Sequence, residues 1–447
     1  MTIRPSASIM PALRHRNYRL FFVGQGLSLI GTWMTAVAQS WLVLQLTGNP
    51  FDLGLLAVAQ FTPVLILGLF GGLIADSLPK RPTLYATNIV AMIVSAILFG
   101  LAVTHTVQLW HVFVLAIVMG VRNSIEMPTR QAFAVDMVGR GDIGNAVALN
   151  SALFNGARVI GPAIAGIAIG AFGVASAFLI DAISFLAVLV ALFAMREDSL
   201  RQAPRLAQMQ SVRAVFGNLA EGLSYVRNTG VALLAITIIG VVATFGINFS
   251  VVIPPLASLT LQVGAAGFGF LMAASGLGSL AAALLIAFRG TRPSRMLLGA
   301  LVLGVAEMVM GGSNSYALDL LLMFTAGAGS ISMMATANTT LQLAVPDALR
   351  GRVMSVYTTV FAGASPIGGV VIGAIAANAG AQAALFVGGL ISVLAGIGGI
   401  VWYRSLRSSG QIPARIASTR SVAVPSGSLG PPGPTGAAPV SPVRSIR

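Results

Sequence analysis

Long stretches without a charged side chain constrain this sequence more than any other feature. Residues 82–121 and residues 228–288 contain no Asp, Glu, Lys or Arg. A helix needs about 20 predominantly apolar residues to cross the hydrocarbon core of a bilayer, so each stretch has room for two such helices. Only 9% of the 447 residues are charged, whereas a soluble domain usually carries about 25%. The composition therefore argues against a water-soluble globule.

The uncharged stretches together predict an all-α membrane protein with twelve transmembrane helices. The first apolar stretch, residues 20–46, is too long for the apolar region of a signal peptide and is expected to remain as the first helix. Turns between later helices are expected where small, polar or proline residues interrupt the apolar pattern, near residues 171–173, 254–255, 311–314 and 378–380.

The positive charges fall on alternate connections between these helices. The chain has 26 Lys and Arg against 12 Asp and Glu, which gives a net charge of +14. The basic residues lie at 4–19, 80–81, 122–140, 196–227, 289–295, 350–352 and 404–447. Because short basic connections stay in the cytoplasm, we expect both termini to be cytoplasmic. The charge excess then explains the topology, and no nucleic-acid partner is expected.

An internal repeat relates the two halves of the chain at an offset of 207 residues. Identical residues coincide without a gap through two helices and their loop, for example at Phe154 and Phe361, Gly161 and Gly368, and Gly173 and Gly380. Six helices per repeat is an even number, so both halves insert in the same sense, related by an axis along the membrane normal. Because such proteins bind substrate between their halves, the repeat predicts a transporter.

This register divides the chain into two six-helix bundles, residues 1–195 and residues 230–403. Residues 196–229 between them, with five Arg and three acids, are predicted to form a cytoplasmic linker with a short surface helix around residues 212–226. Residues 404–447 are rich in Pro, Ser, Gly and Arg and contain no acid. That composition predicts a disordered cytoplasmic tail.

Polar side chains form one continuous face of the first predicted helix. They follow each other at steps of three and four residues, which places them on one side of the helix: Gln25, Ser28, Thr32, Thr35 and Gln39. Polar groups within a membrane need partners or water. Hydrogen bonds between helices are one explanation, but for a stripe of this length we favour a water-filled cavity. Thr244 and Asn248, which share a face of the seventh predicted helix, are expected to line it too.

Residues 72–81, GLIADSLPKR, resemble the motif G-x-L-a-D-r-x-G-R-r in the loop between the second and third helices of the major facilitator superfamily. Ser77, Pro79 and Lys80 replace the basic residue, the glycine and the arginine of the motif, while Asp76 and two adjacent basic residues are kept. The positions that carry the resemblance are Gly72, Asp76, Lys80 and Arg81. The resemblance implies that Asp76 locks the two halves together at the cytoplasmic side. Alternatively, these charges only fix the topology.

Residues 156–166, GARVIGPAIAG, resemble the motif typical of exporters in the fifth helix of this superfamily. The positions concerned are Gly156, Arg158, Gly161, Pro162 and Gly166. Residues 128–132, 145–151 and 345–354 look like the branch that contains the enterobactin exporter and macrolide-efflux-like proteins; the last segment includes Arg350, Gly351 and Arg352. The resemblance covers residues 15–403 and implies a twelve-helix exporter of a small organic molecule.

Arg158 lies near the middle of the predicted membrane. It is about 20 Å from the start of its helix at about 1.5 Å per residue. A charge at that depth costs about 2.5–3.5 kcal/mol on the insertion scale, so it needs a partner or water. Its repeat counterpart is the neutral Ser365, so the charge serves only one half. It either binds an anionic substrate or switches charge, or it belongs to a structural ion pair.

Four further charged residues are candidates for coupling transport to protons. Asp181 and Glu307 are the acids deepest in the predicted membrane, where desolvation favours a neutral carboxyl group. Arg122 and Glu126 are four residues apart and are expected to pair on one helix. Structural roles are the alternative: the sixth and ninth helices of the superfamily, which would carry Asp181 and Glu307, are peripheral, and Arg122 and Glu126 could form a structural ion pair.

These observations predict a secondary active exporter in the inner membrane, moving a siderophore-like or drug-like molecule by alternating access in exchange for protons. An importer, or a non-transporting membrane sensor or scaffold, is the alternative. The sequence has no cysteine, no catalytic constellation, no metal-ligand set and no Walker motif. We therefore expect no enzyme and no cofactor beyond the proton motive force. The expected partners are the substrate and the lipid bilayer, around a monomeric chain.

Overall fold

A computed structural model of the chain describes residues 10–139, 141–196, 212–290 and 292–410. The regular elements over these ranges are helices. Twelve of them are long and apolar enough to cross a membrane. The prediction of an all-α protein with twelve spans is confirmed. The predicted tail from residue 411 onward, and residues 197–211 of the predicted linker, lie outside the described residues.

The first six spans follow a short 3-10 turn, Pro11–Arg14. They are α1 (Arg16–Thr47), α2 (Pro50–Ser77), α3 (Lys80–Val103), α4 (Leu109–Val138), α5 (Ile143–Phe172) and α6 (Ala175–Phe193). The amphipathic helix α7 (Val212–Asn228) comes next, where a surface helix is predicted. The remaining spans are α8 (Gly230–Phe245) with α9 (Phe249–Pro255), then α10 (Gly264–Arg289), α11 (Pro293–Met310), α12 (Tyr316–Ala344), α13 (Asp347–Ala379) and α14 (Ala381–Ser408).

Several helices continue past the charges that end the uncharged stretches. Residues 122–138 belong to α4, residues 350–352 to the first turns of α13, and residues 404–408 to α14. The prediction that these residues form connections or a tail is wrong. An α-helix satisfies its own backbone hydrogen bonds in water as in lipid, so the edge of the bilayer does not end it.

The seventh span is broken, and the break is not at the predicted turn. The chain leaves α8 at Phe245 and resumes as α9 at Phe249, whereas Pro254 and Pro255 lie inside the helical segment. The residues after them, Leu256–Thr260, form a π-helical turn. Pro254 and Pro255 lack the N–H that would donate to the carbonyl groups four residues earlier, but the helical path continues through them into the wider turn. The predicted turn at residues 254–255 is therefore wrong, and the connection lies at residues 261–263.

The repeat of 207 residues is present in the fold. Adding 207 to the bounds of α4 gives 316–345, and α12 spans Tyr316–Ala344. The repeat also pairs Gly173, with φ of +81°, with Gly380, with φ of +89°. Both follow the last residue of a long helix in a conformation that glycine adopts without strain. The two halves are thus copies of one six-helix arrangement.

The two bundles meet along two pairs of helices, α2 with α13 and α5 with α10. These pairs are equivalent under the repeat, and glycines bring their backbones together. Gly54 faces the Gly369 carbonyl group, and Gly166 faces the backbone of Ala265 and Gly269. We call the membrane face where α1 begins the terminal face and the other the opposite face. The four helices make these contacts in their halves nearest the opposite face, where the bundles are closed.

Candidate functional site

Arg158 lies at mid-membrane, where the contact between the bundles begins. Its guanidinium Cζ is 5.8 Å from the centroid of the Trp33 ring in α1. Its backbone faces α10, since a Cβ atom at Gly276 would lie 2.8 Å from the Arg158 carbonyl oxygen. The midpoints of α1, α5 and α10 therefore come together around this residue.

The charge of Arg158 has no anionic partner in the described part of the chain. No carboxylate oxygen there lies within 4.0 Å of its guanidinium nitrogens, and no hydrogen bond of the side chain is formed with those residues. A cation–π contact contributes about 0.5–2 kcal/mol, whereas the charge costs about 2.5–3.5 kcal/mol on the insertion scale. Trp33 therefore offsets only part of the cost, and the structural ion pair is not observed.

Two packed aromatic rings, which we call the aromatic wall, lie on one side of this guanidinium. The rings of Trp33 and Phe154 are 5.7 Å apart in an edge-to-face arrangement, and Phe154 is 36% exposed. Gly161 makes room for this wall, because a Cβ atom there would lie 2.5 Å from the Trp33 Cβ. Sequence reasoning missed both aromatic residues. They lie on different helices, and no spacing along the chain relates them.

The motif in α5 serves two different contacts. Gly161 packs against α1 within the first bundle, while Gly166 packs across the bundle interface, where an added Cβ atom would lie 3.0 Å from the Ala265 carbonyl oxygen. Pro162 is buried in the same helix. An added Cβ atom at Gly156 would meet no atom of the described residues within 4 Å. The motif thus combines packing within a bundle with packing between bundles.

Asp181 is fully buried where α1, α3 and α6 meet. Its Oδ2 accepts hydrogen bonds from Thr35 Oγ1 at 2.8 Å and from Ser95 Oγ at 2.7 Å. Its Oδ1 has no hydrogen-bond partner in the described chain and faces the backbone of Gly31, where a Cβ atom would lie 2.6 Å away. Oδ2 therefore has two hydrogen-bond donors, whereas Oδ1 is buried against α1 without a donor in the described chain.

Two residues of the polar stripe of α1, Thr35 and Gln39, bind side chains of other helices. Thr35 bonds to Asp181, and Gln39 Oε1 accepts from Gln60 Nε2 of α2 at 2.9 Å. Gln25 and Ser28 are buried, and the half-buried Thr32 donates to the Ser28 carbonyl group. The expectation of a water-facing stripe is wrong for Thr35, because the α6 carboxylate takes its hydroxyl group.

Thr244 and Asn248 lie at the break between α8 and α9. Thr244 Oγ1 donates to the Gly240 carbonyl group at 2.6 Å, and Asn248 Nδ2 donates to the Thr244 carbonyl group at 2.6 Å. Both residues expected to line a cavity thus bond to the backbone of their own span, and Asn248 does so at the break. Asn248 is buried and Thr244 is half-buried.

Arg122 and Glu126 do not form the predicted pair. Glu126 makes an ion pair with Arg130, with Nε and Oε1 3.1 Å apart and both side chains buried. Arg122 turns towards α3, where its Nε donates to the Thr87 carbonyl group at 3.2 Å, and its Cζ lies 5.7 Å from the Phe185 ring. Glu126 has an arginine one turn away on each side, and a glutamate that precedes its basic partner is the better oriented pair.

Glu307 occupies the equivalent junction of the second bundle, where α8, α11 and α14 meet. It is 2% exposed, and its Oε2 has no hydrogen-bond partner among the described residues. A Cβ atom at Gly246, in the break after α8, would lie 3.3 Å from Glu307 Oε2 and 2.5 Å from Ser392 Oγ. Each bundle thus buries a carboxyl group and a serine beside a glycine of its first span, which is Gly31 in the first bundle and Gly246 in the second.

The acid and the serine exchange places between the two bundles. In the first bundle the acid is on α6 and Ser95 is on α3; in the second the acid is on α11, the counterpart of α3, and Ser392 is on α14, the counterpart of α6. Because the exchange moves both residues out of register, the offset of 207 does not align them. The sequence identified the two acids but not their relationship.

The candidate lock near residues 72–81 is described only in part. Gly72 and Asp76 lie in α2, and their side chains are outside the described residues. Lys80 Nζ lies 2.7 Å from Asp136 Oδ2 of α4, and Arg81 Nη2 donates to the Leu192 carbonyl group of α6 at 2.8 Å. Both basic residues therefore make these contacts inside the first bundle.

Arg350, Gly351 and Arg352 lie in the first turns of α13. Arg350 pairs with Asp347 one turn earlier and donates to the Gln342 carbonyl group at 3.2 Å. Arg352 pairs with Glu221 of α7. The motif therefore ties the amphipathic helix to the second bundle.

A separate apolar cavity of about 360 Å³ lies between α8 and α14. Its lining is made of Thr237, Ile238, Val241, Ile391, Leu394, Ala395, Gly398, Gly399 and Trp402. It includes none of the predicted site residues. Within the ranges that the structure covers, no three His, Cys, Asp or Glu side chains are placed to hold a metal ion.

The sequence of this chain is similar to those of known proteins. A family model described as "Transmembrane secretion effector" matches residues 7–419. The multidrug efflux pump Tap of Mycolicibacterium fortuitum is 29% identical over 384 residues, which cover 82% of this chain and 91% of that protein. The staphyloferrin A transporter of Staphylococcus aureus is 32% identical over 176 residues, 39% of this chain and 44% of that protein.

A solved structure with the same fold is a peptide transporter of the POT type in complex with alafosfalin. It superposes with a TM-score of 0.71 at 13% identity, covering 89% of this chain and 95% of that one. At this identity the likeness concerns the fold alone.

Proposed function

Since the chain belongs to the transmembrane secretion effector family of the major facilitator superfamily, and is thus a multi-pass membrane transporter rather than an enzyme, we propose that it exports a small organic molecule across the inner membrane in exchange for protons. Closure of the two bundles at the opposite face, just beyond the mid-membrane Arg158, is the observation that carries this proposal. Rocking of two repeat-related bundles around a midplane site exposes that site to each face in turn.

The exported molecule is drug-like or siderophore-like. The efflux pump Tap matches most of this chain, which favours a drug-like compound. The match to the staphyloferrin A transporter covers 39% of this chain, so it supports a siderophore-like compound over a shorter region. Both relatives are named as transport proteins, which favours transport over the alternative of a sensor or scaffold, and the name of the efflux pump favours export.

Asp181 is the residue that we propose as the proton carrier. Two hydroxyl groups bind one carboxylate oxygen and stabilise the charged form. The other oxygen is buried without a hydrogen-bond donor in the described chain. A proton on this oxygen would remove the buried charge, and the residue links three helices that must move as one bundle. Glu307, in the equivalent junction, has fewer hydrogen-bond donors for its charge.

Replacing Asp181 tests the exchange with protons. We expect Asp181→Asn to reduce dye export at least tenfold, measured with the cation ethidium and the anion fluorescein, in cells that lack their own major drug pumps, with an equal amount of protein in the membrane. Asp52→Asn, which removes an acid at the end of α2 away from the centre, is the matched control and should export normally.

Untargeted comparison of secreted and retained metabolites in wild-type and deletion strains extends the test to natural substrates. Equal profiles, together with unchanged ethidium retention, would contradict export itself. Normal export by Asp181→Asn would instead contradict only the role of this carboxyl group.

A further inference from the structure

We propose that Arg158, Trp33 and Phe154 form a binding site for an organic anion, such as a carboxylate attached to a planar group. This inference deepens the proposed function, on which it rests for the identification of the ligand as cargo. It concerns the chemical class that the transporter accepts, and three observations support it.

The first observation is an unbalanced charge. Arg158 is half-buried at the middle of α5, and no carboxylate of the described chain neutralises it. The two buried arginines of α4 differ in this respect: Arg122 has a carbonyl group and an amide oxygen as acceptors, and Arg130 pairs with Glu126. Arg158 thus differs from both in keeping its donors free, which a carboxylate can accept as a bidentate ligand.

The second observation is the position of the guanidinium group beside two aromatic rings. It lies over the Trp33 ring, with Cζ 5.8 Å from the centroid, and the Trp33 and Phe154 rings pack edge to face. The cation–π contact holds the guanidinium on one side, and none of its N–H donors is bound by a described residue. The aromatic surfaces beside it offer contact area for a flat, apolar part of the same ligand.

The third observation is the place of the site between the bundles. The Arg158 backbone contacts α10 of the second bundle, so separation of α5 from α10 changes what surrounds the guanidinium. The counterpart in the second bundle, Ser365, carries no charge. The equivalent position of the second bundle therefore lacks this cation, and the proposed site belongs to the first bundle.

A matched pair of small probes tests the site directly. Fluorine NMR line broadening is measured for para-trifluoromethylbenzoate and its neutral amide with the full chain in phosphatidylcholine nanodiscs. We expect the wild type to bind the benzoate at least tenfold more tightly than the amide, since a hydrogen bond to a charged group contributes that much. Arg158→Gln should remove this preference and leave binding of the amide unchanged.

Two further variants separate a binding role from general disruption. Arg158→Lys keeps the charge without the planar fork, so it should retain part of the preference. Arg289→Gln removes an exposed arginine at the end of α10 and should bind both probes as the wild type does. If Arg158→Gln does not fold, the wild-type ratio and the Lys variant still decide the question.

Equal binding of benzoate and amide by the wild type, or an unchanged ratio in Arg158→Gln, would overturn the proposal. Because binding is measured without transport, a protein that binds the benzoate selectively but exports nothing would contradict the proposed function alone. A protein that exports ethidium without any preference for the benzoate would contradict only the anion site.

Discussion

At the scale of single residues, groups from other helices determine which contacts the charges inside this protein make. Spacing along the chain identified Arg158, Asp181 and Glu307 as charges deep in the membrane. It did not identify Trp33 or Ser95, whose roles depend on helices that meet only in the fold. A single sequence contains the positions of its charges but not the contacts between distant helices.

The pair of Glu126 shows the same limit within one helix. Spacing allows Glu126 to bind either Arg122 or Arg130, which are both four residues away. The choice depends on α3, whose Thr87 carbonyl group accepts from Arg122 and draws it away. The spacing along a helix thus indicates which side chains could pair, and contacts with neighbouring helices determine which pair forms.

This pairing makes Arg130 a strong determinant of stability. Arg130→Gln leaves the buried Glu126 carboxylate without its cation, a change that typically costs about 3–5 kcal/mol. We expect a clear fall in the thermal unfolding midpoint of the detergent-purified protein. The double variant Glu126→Gln and Arg130→Gln should recover most of the loss. An equally low midpoint for the double variant would show that the pair does not account for the effect.

At the scale of helices, the apolar pattern predicted the number of spans but not their ends. Helices α4 and α13 carry charged residues in their turns at the terminal face, and the proline pair in the seventh span does not end it. Hydropathy measures where lipid is tolerated, whereas hydrogen bonding along the backbone determines where a helix stops. The break after Phe245 has only Gly246 as a local signal, in a chain with 51 glycines.

Two glycines of the motif in α5 should respond differently to the same substitution. A Cβ atom at Gly166 would lie 3.0 Å from backbone atoms of α10, whereas one at Gly156 meets no described atom within 4 Å. Overpacking of such contacts costs about 1–3 kcal/mol. We therefore expect Gly166→Ala to slow export several-fold and Gly156→Ala to leave it unchanged.

Export rates are to be compared at equal protein levels in the membrane. Equal rates for Gly166→Ala and the wild type would show that close contact between α5 and α10 is not needed. A loss in Gly156→Ala as large as that in Gly166→Ala would point instead to a general sensitivity of the helix.

At the scale of the whole molecule, the repeat was the most informative feature of the sequence. It predicted two copies of a six-helix unit, and the bounds of α4 and α12 agree with that offset within a residue. The repeat does not indicate which conformation the bundles adopt. Closure at the opposite face depends on contacts such as Gly54 with Gly369, between segments that the offset does not pair.

A reversible cross-link at the opposite face tests the account of two rocking bundles most directly. The chain has no cysteine, and a Cβ atom at Gly170 would lie 3.7 Å from the Ala266 Cβ across the bundle interface, within the range for a disulfide. The double variant Gly170→Cys and Ala266→Cys should cross-link on mild oxidation, lose ethidium export, and regain it after reduction. Each single variant is the control. Full export by the completely cross-linked protein would contradict movement of the bundles at this face.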